Sequence, residues 1–144
     1  MNQKTFPILG LLLALVVSGC STVEPAKHYA GTPLDPMKTA FVVIGKDYDP
    51  KIGVNIQEAL GQHGVTASAG ALADKPKDVA FYVEYEDHWR WDLAMYLFSL
   101  DIRFVDNTTG QVMGSGAFRQ GAFHSFPNPR EKVFAVVESI YSAK

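Results

Sequence analysis

Five polar side chains fall on alternate positions of one short segment: Glu84, Glu86, His88, Arg90 and Asp92. Alternate residues of an extended chain share a face, so the five form a strip that could move protons or hold an anion. With Asp101 and Arg103 beside it, the strip would serve a small hydrolase. A solvated sheet face that uses charge to discourage edge-to-edge association has the same composition and needs no substrate. Asp87 departs from the pattern, since its parity points it inward with Tyr85 and Trp89. A buried carboxylate there would have a raised pKa, unless a bulge or the exposed end of the sheet accommodates it. The four histidines, His28, His63, His88 and His124, show none of the paired spacing that metal sites use. No metal and no cofactor is expected. Gly114-Ser115-Gly116 lacks the spacing of a nucleophile elbow, and no glycine-rich phosphate loop occurs. Aromatic rings concentrate binding energy at interfaces, so His88, Trp89, Arg90, Trp91, Phe123 and Phe126 make a candidate binding surface.

The chain that must position these groups has 144 residues, 47% apolar and 19% charged, with a formal net charge of −2. That is the composition of one globular domain. It lacks the basic field that holds a phosphate backbone, so nucleic acid is not an expected partner. A single cysteine excludes an internal disulfide and a cysteine-rich zinc site. Its own position must account for it.

Met1 to Lys4 is a short polar start with one positive charge, and Phe6 to Val17 is an apolar run without charge. The run is well short of the roughly 20 residues a spanning helix needs, so it reads as the apolar region of a signal peptide. At Val17-Ser18-Gly19-Cys20 an aliphatic residue and two small ones precede the cysteine, which resembles the lipobox of bacterial lipoproteins. The resemblance implies diacylglyceryl transfer to the Cys20 sulfur, cleavage between Gly19 and Cys20, and acylation of the new amino terminus by a palmitate-type chain. Two or more acyl chains hold a protein on a bilayer essentially permanently. In enterobacterial lipoproteins an aspartate after the cysteine retains the protein in the inner membrane. Ser21 stands there, so the resemblance implies the outer membrane of a Gram-negative envelope.

Residues 1–19 are thus expected to be a signal peptide, 20–37 a lipid-anchored flexible tether rich in proline and glycine, and 38–144 a single periplasmic domain. Within it, 38–44 is short, apolar and β-branched, as in a strand buried on both faces. Ile52, Ile56, Ala59 and Leu60 recur at helical spacing, with Asp49 to cap, Pro50 at the first position and Gly64 at the exit, which predicts a helix over 50–63. A short strand is expected at 65–69. Apolar residues occupy odd positions in 79–91 and even positions in 96–104, so these strands can pair as a hairpin only with an odd index sum. A turn at Asp92 to Met95 satisfies this, setting Trp91 opposite Tyr96, Trp89 opposite Phe98 and Glu84 opposite Arg103. It also sets Glu86 opposite Asp101, a repulsion that Arg103 on the diagonal would offset. Asp106 to Gly110 supplies a second turn, and the small-residue strand at 111–120 implies something bulky against its backbone. Asn128 can cap a final helix from Pro129, with Val133, Phe134, Val137, Ile140 and Tyr141 as its apolar stripe.

This pattern predicts an α+β fold, one mainly antiparallel sheet of four to five strands with two helices packed on one face. In layout, and at Val105-Asp106 and Thr109-Gly110-Gln111-Val112, residues 38–142 resemble small Gram-negative periplasmic lipoproteins of unknown function, a resemblance that carries no catalytic residues. The expected role is a non-enzymatic binding or envelope-assembly module with a protein or peptidoglycan partner. The alternative is a small periplasmic hydrolase using the Glu84–Asp92 face.

Overall fold

A computed structural model describes residues 22–29, 33–121 and 125–143; Gly19, Cys20, Phe123 and His124 lie outside them. The elements in chain order are β1 (Thr22–His28), β2 (Thr39–Val43), α1 (Pro50–Gln62), β3 (Thr66–Gly70), a 3-10 turn (Leu72–Asp74), β4 (Phe81–Asp92), β5 (Ala94–Asp106), β6 (Val112–Arg119) and α2 (Pro129–Ser142). Both helices begin as their caps dictate. The Asp49 carboxylate accepts from the Lys51 amide at 2.9 Å, and the Asn128 side chain accepts from the Arg130 amide at 3.0 Å. A proline follows each cap, where a missing N–H costs nothing.

The strands form one six-stranded sheet in the order β1-β6-β5-β4-β2-β3. The fold class is α+β as expected, but the sheet has six strands, not four to five, and it is mixed. β1, β6, β5 and β4 pair antiparallel, whereas β2 runs parallel to both β3 and β4. The parallel pair β2/β3 follows from the helix between them, since parallel neighbours need a crossover connection.

The additional strand is β1, which lies inside the segment 20–37 predicted as a flexible tether. Its prolines hid it. Pro25 sits where the pairing with β6 shifts between Glu24 and Lys27, and a bulge on an edge strand is the place a sheet tolerates proline. Val23 and Ala26 pack against the core.

Both helices cover the same sheet face. Tyr85 reaches toward Gly53 of α1, and the Phe104 ring meets Tyr141 of α2 with centroids 5.7 Å apart. The core between the layers includes fully buried Phe81, Phe104, Phe118, Ile56, Leu100 and Ile140. The small residues of β6 serve this packing: a Cβ at Gly114 would lie 2.7 Å from Ile140 Cγ2, and one at Gly116 would lie 3.0 Å from both Ile140 and Val136. The bulky element anticipated beside this strand is α2.

The β4/β5 register follows the expected pairing from Phe81↔Asp106 through His88↔Ser99, including Glu84↔Arg103 and Glu86↔Asp101. Beyond His88 it shifts by one residue. Trp89 faces Leu97 and Trp91 faces Met95, so the expected pairs with Phe98 and Tyr96 do not form. The cause is a bulge that leaves Phe98 out of the ladder and closes the hairpin on Leu93 alone.

At the β5/β6 turn the Asp106 carboxylate accepts from the amides of Thr108 and Thr109 at 2.8 and 2.7 Å and from the Thr109 hydroxyl at 3.1 Å. These bonds, led by the Thr109 amide, hold its pKa below the ordinary 3.8. A depressed folded-state pKa contributes stability above the unfolded value and loses it as pH falls through the folded one. Asp106→Ala is therefore expected to lower the unfolding free energy by about 1 kcal/mol at neutral pH. In urea titrations the gap between the two chains should narrow as pH drops below 3.8.

Candidate functional site

The sheet has one face under the helices and one half open to solvent. The 3-10 segment covers the β2/β3 side of the open face, where Phe41 meets Gly70 and Lys75 lies 5.1 Å from the Tyr82 ring centroid. Across β4, β5, β6 and β1 the surface stays open, and strand alternation brings polar groups onto it in rows. One row runs Glu86–Asp101–Ala117–Glu24 and the next Glu84–Arg103–Ser115–Lys27. Ser115 and Ala117 are small, so the middle of this face dips into a concavity of about 380 Å³, walled by Glu24, Lys27, Glu86, Asp101 and Arg103.

Two arginines pair with Glu84, Glu86 and Asp101. The Arg103 guanidinium lies 3.2 Å from Glu86 and 3.6 Å from Glu84. It offsets the Glu86/Asp101 repulsion as the register implied. Asp101 has a second partner that the sequence did not reveal, Arg119 of β6 at 2.6 Å. That hydrogen bond raises the Arg119 pKa. Each of these side chains is well exposed, so the pairs stabilise the fold little. They fix an alternating charge pattern on a small-residue floor.

The predicted strip does not act as one surface. Glu86 lines the concavity and Glu84 reaches it only through Arg103, while His88 lies outside it. Arg90 stacks over the bulged Phe98, its guanidinium carbon 3.5 Å from the ring centroid. Asp87 faces the helix side and is only 5% exposed. It sits where the helix layer gives way to the loop before α1, one residue short of the register shift. Its Oδ2 accepts from the Trp89 indole N–H and from the Asp49 amide at 3.3 Å, while Oδ1 is buried without a hydrogen-bond partner among the described residues. Tyr85 donates to the Asp49 carbonyl at 3.0 Å. Burial first, then the Asp87 and Asp49 charges, push its pKa to about 12. Asp87 thus ties the hairpin to the cap of α1.

Of the histidines in the described residues, His28 lies on β1, His63 caps the end of α1 and His88 lies on β4. His63 ends α1, stacked on Tyr141 with centroids 3.8 Å apart and 3.2 Å from Glu138. Among the described residues no three of His, Cys, Asp and Glu gather to hold a metal ion.

The candidate aromatic surface divides by strand parity, with Trp89 and Trp91 on the helix side and His88 and Arg90 on the open side. Trp89 is half-buried against Asp87. Trp91 is 71% exposed, and Leu93 and Met95 at the hairpin tip are 88% and 55% exposed. Phe126 is 54% exposed and meets Tyr96 edge-on at 5.8 Å. Leu93 has a φ of 60°, a backbone region that costs a residue with a Cβ about 1 kcal/mol and favours glycine or asparagine. In the sequence Leu93 and Met95 read as turn residues, which hides them from the candidate surface.

Comparison with known proteins places this geometry among solved folds. No family model matches the chain, and no curated protein matches it. A variant PelC dodecamer from Paraburkholderia phytofirmans in space group C2 is similar with a TM-score of 0.59 at 12% identity, over 84% of this chain and 96% of that one. A PelC dodecamer from the same organism in space group P6 is similar with a TM-score of 0.57 at 14% identity, over 83% and 97%. The likeness is one of fold. It spans nearly the whole of the PelC chain.

Proposed function

We propose that this chain is a Gram-negative envelope lipoprotein, anchored through acylated Cys20 on the periplasmic face of the outer membrane, whose domain is a non-enzymatic binding and assembly module. The observation that carries the reading is Val17-Ser18-Gly19-Cys20 at the end of an apolar run too short to span a bilayer. Among the described residues no helix is long and apolar enough to cross a membrane, so attachment falls to the cysteine. β1 begins at Thr22, two positions after it, which keeps the domain against the lipid surface instead of at the end of a tether.

The open half-sheet suits a protein or peptidoglycan partner, with a charge-patterned wall and a floor of Ser115 and Ala117. The PelC structures of similar fold are dodecamers, which supports assembly as part of the role. A hydrolase on the Glu84–Asp92 face is the weaker reading, because Glu84 and Glu86 share one arginine while Asp87 lies on the opposite side of the sheet.

The direct test is Cys20→Ala. The parent chain should fractionate with the outer membrane, and mass analysis should show fatty acyl groups on a chain starting at Cys20. The variant should lose the acyl groups. Retention of an acylated mass by the variant, or an unmodified sulfur in the parent, defeats the anchor.

A further inference from the structure

The apolar hairpin tip and the start of the folded chain lie at the same end of the sheet. Thr22 pairs with Arg119, Arg119 with Ser99, and Ser99 with His88, so these four residues form one row across β1, β6, β5 and β4. Among the strands of the described residues only the β4/β5 hairpin continues past that row, from Trp89 to its apex at Leu93 and back to Leu97. β6 also ends at this row, and Phe126 meets the hairpin at Tyr96. One end of the molecule therefore gathers Trp91, Leu93, Met95 and Phe126, each more than half exposed.

Scattered exposed apolar residues are ordinary, but a contiguous cluster marks a contact surface. The apex adds an independent observation. A leucine occupies a left-handed backbone position at φ 60° with its side chain in water, so neither the turn nor the core favours leucine there.

We propose that this hairpin tip inserts into the interfacial region of the lipid bilayer, with Trp91 at headgroup level and Leu93 and Met95 at the acyl boundary. The inference rests on the anchor at Cys20. Two extended residues place Cys20 no more than about 7 Å from Thr22, and the diacylglyceryl group would hold that cysteine at the membrane surface. The apex stands five residues beyond the Thr22 row, about 16 Å along the strand. With the strands near the membrane normal and the link from Thr22 to Cys20 at its full reach toward the bilayer, the tip passes the anchor by about 9 Å, within the depth of about 5–10 Å at which interfacial segments bury their apolar face. Tryptophan at that depth keeps its ring in the apolar boundary and its N–H in the polar zone. A domain held by lipid and tip together has a fixed orientation, its strands standing off the bilayer and its open face turned sideways toward partners.

The test uses the chain's two tryptophans, Trp89 and Trp91, in the lipidated protein reconstituted into phosphatidylethanolamine/phosphatidylglycerol vesicles with brominated acyl chains. Trp89→Phe leaves Trp91 as the reporter, and its fluorescence should fall about two-fold relative to unbrominated vesicles. Trp91→Phe leaves Trp89, which should be little quenched. Leu93→Gly keeps both tryptophans, relieves the backbone strain, and should weaken the quenching of the parent chain while its thermal midpoint holds or rises. Acylated protein in the vesicles with unquenched Trp91 overturns the proposal and leaves the anchor intact. A Trp91 emission that shifts to the blue with protein concentration and ignores bromine overturns it too, showing that a second copy covers the tip. If mass analysis finds no acyl group, the anchor fails, and the unlipidated chain added to the same vesicles decides the tip: quenched Trp91 supports insertion, and unquenched Trp91 overturns it.

Discussion

Replacing Phe104 by alanine is expected to lower the unfolding free energy by about 3–5 kcal/mol. Phe104 is fully buried, with its ring 5.3 Å from Phe81 and 5.7 Å from Tyr141, so it joins β5, β4 and α2 at one point. The neighbours cannot close the void. Its partner across the sheet on β6 is Gly114, which has no side chain to swing in, and on the other side Val83 is itself fully packed. A domain of this size is stable by about 5–15 kcal/mol, so the variant should sit near the edge of folding at 37 °C. Urea denaturation followed by tyrosine and tryptophan fluorescence reads the shift. A loss under about 1 kcal/mol would mean that the helix layer does not close over the centre of the sheet as described.

What could be read in advance was set by short-range chemistry. Asp49-Pro50, Asn128-Pro129 and the Gly64 exit mark helix ends because capping depends on residues one to three positions apart. The β4/β5 register was legible from Phe81 to His88 because parity allows only odd sums, and Arg103 beside Glu86 followed from it. Two devices that break regularity were not legible. Pro25 makes Thr22–His28 look like linker, and only the bulge on an edge strand lets it pair. Phe98 leaves the ladder at a bulge, and the turn closes on a left-handed leucine where sequence signals ask for glycine or asparagine. The Arg119–Asp101 pair was invisible because it needs the β5/β6 register, fixed by a further shift between Phe104 and Val105.

The misread places are also the ones the proposed function uses. β1 carries Glu24 and Lys27 into the concavity and brings the folded chain to within two residues of Cys20. The bulged tip turns Trp91 and Met95 into a cross-strand pair on one face, where the unbulged register would have set each against a different partner. Local rules fail where a sequence serves something besides its own folding.

Gly114→Ala separates the two faces of β6. The added methyl would lie 2.7 Å from Ile140 Cγ2, closer than packed carbons come, so α2 must shift or Ile140 must leave its rotamer. The expected loss is about 1–3 kcal/mol. Ile140→Ala removes the atom in the way and by itself costs about 2–5 kcal/mol, since Ile140 is fully buried. Combined, the two substitutions should cost less than their sum by about 1–2 kcal/mol, because the new methyl fills part of the space left behind. Ser115→Ala, one residue along and pointing to the open face, should change stability by no more than about 0.5 kcal/mol. An additive double mutant would mean that α2 does not press on this strand. A coupled one with a silent Ser115→Ala shows that the trough floor can be altered without disturbing the core, so a loss of partner binding on such a change reports on the surface and not on the fold.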